Sequence, residues 1–238
     1  MSNYEKSVWI TGGSSGYGKA MAKLFAQEGY QVVIAARGEA ALKEAAAEIG
    51  CDYFVMDVTN PADWQKAVAY AKEKFGGLDV LINNAGGGIA VRDTITITNE
   101  EIDRCIDLNM KSVIYGCRDF APMMMEQKRG TIVNISSVCA KQAWPGWTVY
   151  AAAKWGVLGF TKGLTAELAP SGIRVTCLVP GAGDTAFDAN ANFTGRGAVP
   201  GLKAEHIADT IYNIYTLPAN VWVEEATVWG IDQVVIPL

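Results

Sequence analysis

Tyr150 and Lys154 stand four positions apart in the run YAAAK, and this pair is the first candidate for chemistry in the chain. Residues i and i+4 share one face of a helix, so the two side chains would lie close together. The pKa of free tyrosine is about 10, and bringing it to about 7 requires roughly 4 kcal/mol in favour of the phenolate. A nearby ammonium could supply part of that preference. The pair would then serve as a general acid and base at neutral pH.

The same spacing recurs at Tyr70 and Lys74, but in a charged stretch, AYAKEKFGG, without other candidate side chains. We interpret that second pair as the solvated face of a helix. Tyr150 has two polar companions. Ser137 ends the strand-like run TIVNISS, where its hydroxyl could donate a hydrogen bond to a substrate oxygen. Asn109 lies in the helical pattern LNMKSVIYG, and a buried asparagine inside a helix needs partners for its amide, so the alternative is a solvent-facing side chain.

A glycine-rich stretch, TGGSSGYG, occupies positions 11–18 directly after a short apolar run. A turn of this kind between a strand and a helix can bind a diphosphate, because the helix N-terminus offers free N–H groups and a partial positive charge. The spacing is GxxxGxG rather than GxGxxG, so an ordinary tight turn is the alternative. For Tyr17, between two of the glycines, we hypothesise that the backbone N–H serves the cofactor and the side chain shapes the pocket entrance.

The elements that would position these residues alternate between strands and helices, which predicts a single α/β domain over residues 1–238. The expected architecture is a Rossmann-like doubly wound parallel sheet of about seven strands with helices on both faces. The predicted strands are Val8–Thr11, Val32–Ala35, Tyr53–Met56, Val80–Asn83, Thr131–Ile135, Val175–Val179 and Thr227–Ile231. The predicted helices are Lys19–Glu28, Glu39–Ile49, Ala62–Phe75, Glu100–Gln127 as two helices, and Tyr150–Ala169.

One stretch, Asp184–Gly201, is rich in Ala, Asn and Gly and shows no periodicity. A loop that long in a compact domain is usually functional. We therefore predict a substrate loop or lid over residues 184–205.

Composition excludes several classes of function. The net charge of −5 provides no electrostatic footprint for nucleic acid or an anionic membrane. No apolar run approaches the length that spans a bilayer, and no signal peptide is visible, so a cytoplasmic protein is expected. The five cysteines form no CxxC motif and argue against a disulfide framework. A single histidine, His206, argues against a His-based zinc site, and no metal is expected.

Taken together, these residues resemble the short-chain dehydrogenases/reductases of the small, single-domain type. The matching motifs appear in the family's order from Val8 to about Thr185: TGGSSGYG (11–18), DV (57–58), NNAG (83–86), Asn109, Ser137, Tyr150 with Lys154, and PGAGDT (180–185). The resemblance implies that Tyr150 handles the proton and that Ser137 holds the reacting oxygen. It further implies that Lys154 lowers the pKa of Tyr150 and binds the nicotinamide ribose, and that Asn109 anchors a water linked to Lys154.

The resemblance also implies a cofactor site and a homo-oligomer, a tetramer or dimer. Asp57 and Val58 would contact adenine, and Asn83 the adenosine ribose, although turn residues at strand ends are the alternative for Asp57 and Asn83. The other expected cofactor contacts, besides Tyr150 and Lys154, are Gly12, Ser14, Ser15, Gly16, Tyr17, Gly18, Arg37, Ala85, Gly86, Pro180, Gly181 and Thr185.

The end of the second strand bears on the choice of cofactor. In dinucleotide folds an acidic residue there binds the ribose hydroxyl of NAD, whereas an arginine suits the 2′-phosphate of NADP. Ala36 takes the acidic position and Arg37 follows it, which predicts NADP(H), with NAD possible. Ser15 argues the other way, because many NADP-using relatives carry a basic residue there.

The predicted substrate is a small or medium, partly apolar ketone, aldehyde or secondary alcohol that contacts Ser137 and Tyr150. Its apolar wall would come from Trp144, Trp147 and Phe187, with Phe193 as a further candidate. Recognition of a carboxylate by Arg92, Lys141 or Arg196 is the alternative. The rival functions are an NAD(H)-dependent alcohol dehydrogenase of the same family, a non-catalytic NADP-sensing module, and a lyase, dehydratase or epimerase.

Overall fold

The computed structural model describes residues 6–89, 91–185 and 201–233, and a seven-stranded parallel sheet forms its centre. This confirms the predicted fold class and its single domain. The strands are β1 (Ser7–Thr11), β2 (Gln31–Ala36), β3 (Asp52–Val55), β4 (Val80–Asn83), β5 (Gly130–Ile135), β6 (Ile173–Pro180) and β7 (Glu225–Val228).

The last strand begins earlier than predicted, at Glu225 rather than Thr227, and ends at Val228. The reason is its register, because Glu225 pairs with Cys177 and Val228 pairs with Pro180, where β6 itself ends. Beyond that point the chain has no parallel strand to pair with, so the apolar residues that follow Val228 leave the sheet.

The strands are arranged in the order β3-β2-β1-β4-β5-β6-β7. The order therefore reverses between β1 and β4, and in open parallel sheets ligands bind beyond the carboxyl ends of the strands at such a reversal. Thr11 ends β1 and Asn83 ends β4, so the glycine-rich turn and the NNAG motif both start at this reversal.

Seven α-helices surround the sheet within the described residues: α1 (Gly16–Gln27), α2 (Glu39–Ile49), α3 (Pro61–Phe75), α4 (Asn99–Ile106), α5 (Ser112–Gln127), α6 (Thr148–Leu168) and α7 (Ala204–Tyr215). A π-helical turn, Asp107–Lys111, joins α4 to α5. The two helices predicted over Glu100–Gln127 are thus confirmed as α4 and α5, with a widened turn between them.

Helix α7 is absent from the sequence prediction, although its buried residues, Ile207, Ala208 and Ile211, follow helical spacing. The predicted loop over 184–205 was too long at its end, because Ala204 and Glu205 already belong to this helix. Residues 186–200 of that loop lie outside the described residues.

The two faces of the sheet carry separate cores because successive strand residues point to opposite sides. Ile10 packs with Phe25 of α1 and with Ile207 of α7, and α2 lies on the same face. Trp9 packs with Trp64 of α3 and Phe120 of α5, and α6 completes that face. No helix within the described ranges is both long and apolar enough to cross a bilayer.

Candidate active site

The glycine-rich turn is closely packed against the loop that follows β4. Gly12 has a φ of +69°, and a Cβ there would lie 2.9 Å from the side-chain nitrogen of Asn84. A side chain at Gly18 would overlap the carbonyl oxygen of Gly12. Both positions therefore require glycine, one for its backbone conformation and both for the close approach of main chains.

Helix α1 starts inside this turn, at Gly16. The residue that caps it, Ser15, makes no capping hydrogen bond, and the first turn carries no acidic residue. The N-terminus of a helix carries a partial positive charge and attracts anions. This arrangement fits a diphosphate.

Asn84 braces the turn, a role that the sequence analysis did not assign to it. Its side-chain nitrogen donates to the main-chain carbonyl of Thr11 at 2.9 Å, and the Thr11 hydroxyl accepts hydrogen bonds from the amides of Asn84 and Ala85 at 3.0 Å. The ends of β1 and β4 are thereby held together. In the sequence, the NNAG motif indicates that an asparagine contacts the turn, but it does not reveal which of the two asparagines does so.

Asn83, the other asparagine of that motif, points into the interior. It is 2 % exposed, and its amide nitrogen donates to Asn134 Oδ1 at 2.9 Å and to Cys117 Sγ at 3.3 Å. The contact of Asn83 with the adenosine ribose stays a prediction, and because the side chain is buried it would involve the main chain of Asn83. Its side chain instead joins β4 to β5 beneath the site.

Tyr150 and Lys154 lie on α6 as predicted, and both are buried. The Lys154 ammonium is 5.6 Å from the centroid of the Tyr150 ring and donates a 3.0 Å hydrogen bond to the carbonyl oxygen of Ile135, the last residue of β5. The hydroxyl of Ser136 donates to the main-chain carbonyl of Lys154 at 2.9 Å. These two bonds fix the first half of α6 to the end of β5.

Burial dominates the ionisation of this pair. It raises the pKa of the Tyr150 phenol well above 10, assisted by the nearby Cys139 thiol. It lowers the pKa of Lys154 from 10.5 to about 8. Desolvation of the phenolate thus dominates in the chain by itself, and the expectation that Lys154 brings the pKa of Tyr150 down stays a prediction. At neutral pH the phenol is protonated.

Ser137 follows β5 and faces Tyr150. A hydrogen bond between these two side chains acts to lower the pKa of Tyr150, against the effect of burial. The Ser137 oxygen also accepts a 3.2 Å hydrogen bond from the amide of Cys139, at the start of a short turn, Val138–Ala140. Two hydroxyl groups thus converge on one point above the end of β5, where they can hold one substrate oxygen.

Asn109 lies in the π-helical turn, and its side chain is completely buried. Its nitrogen donates to the carbonyls of Gly87 at 2.9 Å and Cys105 at 3.0 Å, and its oxygen accepts from the amide of Gly87 at 3.0 Å. A Cβ on Gly86 would lie 3.0 Å from this oxygen and 3.4 Å from Lys154 Nζ. Asn109 therefore holds the Gly86–Gly87 backbone beside Lys154, and the water that it is expected to anchor stays a prediction.

The segment after Ser137 brings two of the predicted wall residues close to Tyr150. The Trp147 ring lies 5.6 Å from the Tyr150 ring in an edge-on arrangement, and Trp144 packs against the cluster that contains Cys139 and Tyr150. Phe187 and Phe193 lie outside the described residues.

Two of the three cations that could have bound a carboxylate are engaged elsewhere. Arg92 pairs with Glu101, and Lys141 pairs with Glu225. Arg196 lies outside the described residues. No group of three or more metal-binding side chains occurs in the part of the chain that the structure describes.

Asp57 and Val58 mainly build the turn before α3. The Asp57 carboxylate accepts hydrogen bonds from the amide and hydroxyl of Thr59 at 2.9 and 2.8 Å. Val58 is buried, and its carbonyl accepts a 2.8 Å hydrogen bond from Trp64. The alternative interpretation of Asp57, as a turn residue, accounts for these bonds, and its contact with adenine stays a prediction.

The exit of β6 meets the glycine-rich turn. The amide of Gly181, just after Pro180, donates to the Val228 carbonyl at 2.7 Å and keeps this segment on the sheet. The Thr185 methyl group lies 3.4 Å from the position that a Cβ on Gly16 would take. Two segments predicted to bind the cofactor are thus adjacent, although they are distant in the sequence.

Arg37 is exposed at the end of β2, and Ala36 before it is half-buried. Within the described ranges the Arg37 guanidinium pairs with no carboxylate. Ser14 is half-buried and Ser15 is exposed in the neighbouring turn. This corner of the site therefore carries an available positive charge.

The fold and this arrangement of serine, tyrosine and lysine define a dinucleotide-dependent oxidoreductase of the parallel α/β type. The model of the short chain dehydrogenase family matches residues 6–194, and the chain belongs to that family. A relative from Staphylococcus aureus (strain USA300), described as an uncharacterized oxidoreductase, is 36 % identical over 227 residues, which cover 94 % of this chain and 96 % of the relative.

Two solved structures are similar over almost their whole length. An alcohol dehydrogenase from the archaeon Thermococcus sibiricus, complexed with 5-hydroxy-NADP, has a TM-score of 0.89 and 27 % identity, and the match covers 98 % of this chain and 100 % of that one. A 3-ketoacyl-(acyl-carrier-protein) reductase from Brucella melitensis, complexed with NADH, has a TM-score of 0.88 and 32 % identity, with coverages of 94 % and 96 %.

Proposed function

We propose that this protein is an NADP(H)-dependent oxidoreductase that interconverts a small or medium ketone or aldehyde and the corresponding alcohol. The observation that carries the proposal is the convergence of the Ser137 and Tyr150 side chains, with the Lys154 ammonium behind them. Two hydroxyl groups arranged in this way can both form hydrogen bonds with one substrate oxygen.

The cofactor would occupy the reversal of strand order. The uncapped start of α1 and the close-packed glycines suit its diphosphate, and the segments at Gly86 and Thr185 flank the same edge of the sheet. A bound nicotinamide would supply a hydride to the carbonyl carbon of the substrate, or accept one from the alcohol.

In the reductive direction Tyr150 donates its proton to the carbonyl oxygen, and in oxidation it takes the proton from the hydroxyl group. Ser137 donates a second hydrogen bond to the same oxygen and holds it within reach of the phenol. Lys154 places a positive charge on the far side of the ring, which favours the phenolate that forms when the proton leaves. Asn109 keeps Gly86 and Gly87 in place beside that ammonium.

Arg37 supports NADP(H) as the preferred cofactor. Its guanidinium is available for the 2′-phosphate, and the preceding residue, Ala36, brings no negative charge that would repel a phosphate. The Thermococcus alcohol dehydrogenase binds an NADP derivative and the Brucella reductase binds NADH, so an NAD(H)-dependent enzyme of the same family is the second candidate.

A neutral substrate is favoured by the surroundings of Tyr150. The cluster around it consists of Ile89, Cys105, Cys139, Trp144, Trp147, Val149 and Ala151. Arg92 and Lys141 are already paired with glutamates, so a substrate carboxylate would have to break an ion pair to use either of them. The predicted homo-oligomer and cytoplasmic location stay predictions.

The proposal is tested by following nicotinamide absorbance with a panel of ketones, aldehydes and alcohols. Turnover that disappears in Tyr150→Phe, while NADPH still binds, supports it. Tyr70→Phe is a matched control, because Tyr70 also precedes a lysine by four positions but packs against Trp9 and Phe54, away from the site. Cofactor binding without turnover of any panel member would favour the sensing module. Conversion without net change in nicotinamide would favour a lyase, dehydratase or epimerase.

A further inference from the structure

Tyr17 places an aromatic side chain on the glycine-rich turn. It is the second residue of α1, is half-buried, and packs against the core on the α1 and α7 face of the sheet. Its hydroxyl oxygen is shielded from solvent. The side chain therefore lies along the edge of the domain where the strands end.

The end of this side chain contacts the exit of β6. A Cβ on Gly183 would overlap the Tyr17 hydroxyl and would lie 2.6 Å from the Cζ atom of the ring. Gly183 comes three positions after Pro180, the last residue of β6. The phenol therefore bridges the glycine-rich turn and the β6 exit, and only a glycine at position 183 leaves room for it.

The backbone that Tyr17 contacts is fixed on both sides. The carbonyl of Ala182 accepts a 2.8 Å hydrogen bond from the amide of Leu202 and a 2.6 Å hydrogen bond from the side chain of Gln233. The amide of Asp184 donates to the carbonyl of Leu202 at 2.8 Å. Since Leu202 is itself buried in the core, Gly183 is a firm support for the ring.

Tyr17 and Tyr150 approach the same region from opposite faces of the sheet. Tyr150 comes from α6 with Trp147 edge-on to its ring, whereas Tyr17 comes from α1. The two phenols are near enough for a charge on Tyr17 to influence the ionisation of Tyr150. Trp147 and Tyr17 are thus both neighbours of the Tyr150 phenol.

We propose that Tyr17 is a specificity-determining residue whose ring, seated on Gly183, limits the bulk of the substrate on the side of the glycine-rich turn. The inference rests on the proposed function, because it concerns the same pocket. It assigns a separate task to the side chain, whereas the backbone N–H of this residue belongs to the start of α1. The class of substrate that follows is a carbonyl compound with one small and one larger substituent.

Binding of unreactive ketones tests this role without turnover. Acetophenone and benzophenone are titrated calorimetrically into the enzyme saturated with oxidised cofactor, where ketone and cofactor cannot react with each other. Tyr17→Ala should shift the ratio of the two dissociation constants by about tenfold or more in favour of benzophenone. Tyr17→Phe keeps the ring and should leave the ratio near that of the unmodified enzyme. Because the ratio compares two ketones in the same variant, any effect of the substitution on cofactor binding is common to both and cancels.

Gly183→Ala provides the second arm. When Tyr17 is present, the added methyl group displaces its ring and should change the ratio of the two dissociation constants. When Tyr17 has been replaced by alanine, the same substitution should have little effect on that ratio. Such non-additivity is expected when one residue acts through another. Tyr212→Ala is the control, because Tyr212 bonds to Glu28 at the opposite end of α1.

An unchanged ratio in Tyr17→Ala, equal effects of Gly183→Ala in both backgrounds, or an enzyme that binds neither ketone would overturn the proposal. Failure of the proposed function is recognised separately, as ketone binding with the expected ratios but no turnover of any carbonyl compound or alcohol.

Discussion

The ammonium of Lys154 lies 3.0 Å from the main-chain carbonyl oxygen of Ile135 and 5.6 Å from the centroid of the Tyr150 ring. The lysine is thus held by the end of β5, beside the aromatic ring. Its charge is buried with one protein acceptor, which is costly for folding but favourable for a phenol that must give up its proton.

The first prediction concerns the pH dependence of alcohol oxidation. Because the pKa of Tyr150 in the chain by itself is raised above 10, the phenolate is a minor species at pH 7 and its population increases with pH. We expect kcat/KM for the oxidised cofactor, at saturating alcohol, to rise steadily from about pH 7 to 9, whereas that for the reduced cofactor should not rise. Initial rates in a constant ionic strength buffer series provide the measurement. A flat profile for oxidation would contradict the assignment of Tyr150 as the base.

The second prediction is that Lys154→Met stabilises the protein while removing activity. The pKa of Lys154 is about 8 rather than 10.5, so at neutral pH its buried charge costs about 3 kcal/mol, at about 1.4 kcal/mol per pH unit. After the hydrogen bond to Ile135 is lost, the net gain in the free energy of unfolding should be about 1–2 kcal/mol.

The sign of its pH dependence follows from proton binding. Below pH 8 the lysine is protonated in both the folded and unfolded states, so the cost is fully present. Between pH 8 and 10.5 the folded state binds fewer protons than the unfolded state, and the cost of the lysine decreases. Urea unfolding of the cofactor-free protein at pH 7 and pH 9.5 should therefore show a larger gain for Lys154→Met at pH 7. A variant less stable than the parent at pH 7 would refute the burial argument.

The third prediction compares two helical glycines. A methyl group at Gly18 would overlap the carbonyl of Gly12, whereas one at Gly159 of α6 would meet no atom within 4 Å. Gly18→Ala should weaken NADPH binding by more than about tenfold and lower stability by about 1–3 kcal/mol, because the turn must move. Gly159→Ala should be neutral or stabilising by about 0.5–1 kcal/mol through helix propensity. NADPH fluorescence titration and thermal unfolding measure both effects, and equal losses in the two variants would argue against a close-packed cradle.

The fourth prediction concerns the choice of cofactor. Arg37→Ala should raise the KM for NADPH by about tenfold or more, the usual cost of losing a charge-assisted contact to phosphate, and change that for NADH much less. Arg118→Ala is the matched control, because Arg118 is an exposed arginine on α5 that pairs with Asp119. Steady-state kinetics with both cofactors decide the question. Comparable efficiency with NADH and NADPH in the parent enzyme would instead identify the NAD(H)-dependent alternative.

Much of the site was predictable because its signals are local. Tyr150 and Lys154 share a helix face by spacing alone, and Ser137 closely follows a strand that its β-branched residues indicate. Helix α7 escaped prediction because it follows a stretch without periodicity. The different orientations of the Asn83 and Asn84 side chains could not be predicted either. Successive residues at a strand end point to opposite sides of the sheet, and the sequence does not show which side faces the turn.

The sequence by itself determined the class of fold, the order of the strands along the chain and the residues that are proposed to carry the chemistry. Only the tertiary structure decided that the Asn109 amide holds Gly87 and that Tyr17 rests on Gly183. The physical reason is that these contacts join segments far apart in the chain, and that the ionisation of Tyr150 and Lys154 depends on how deeply the surrounding elements bury them.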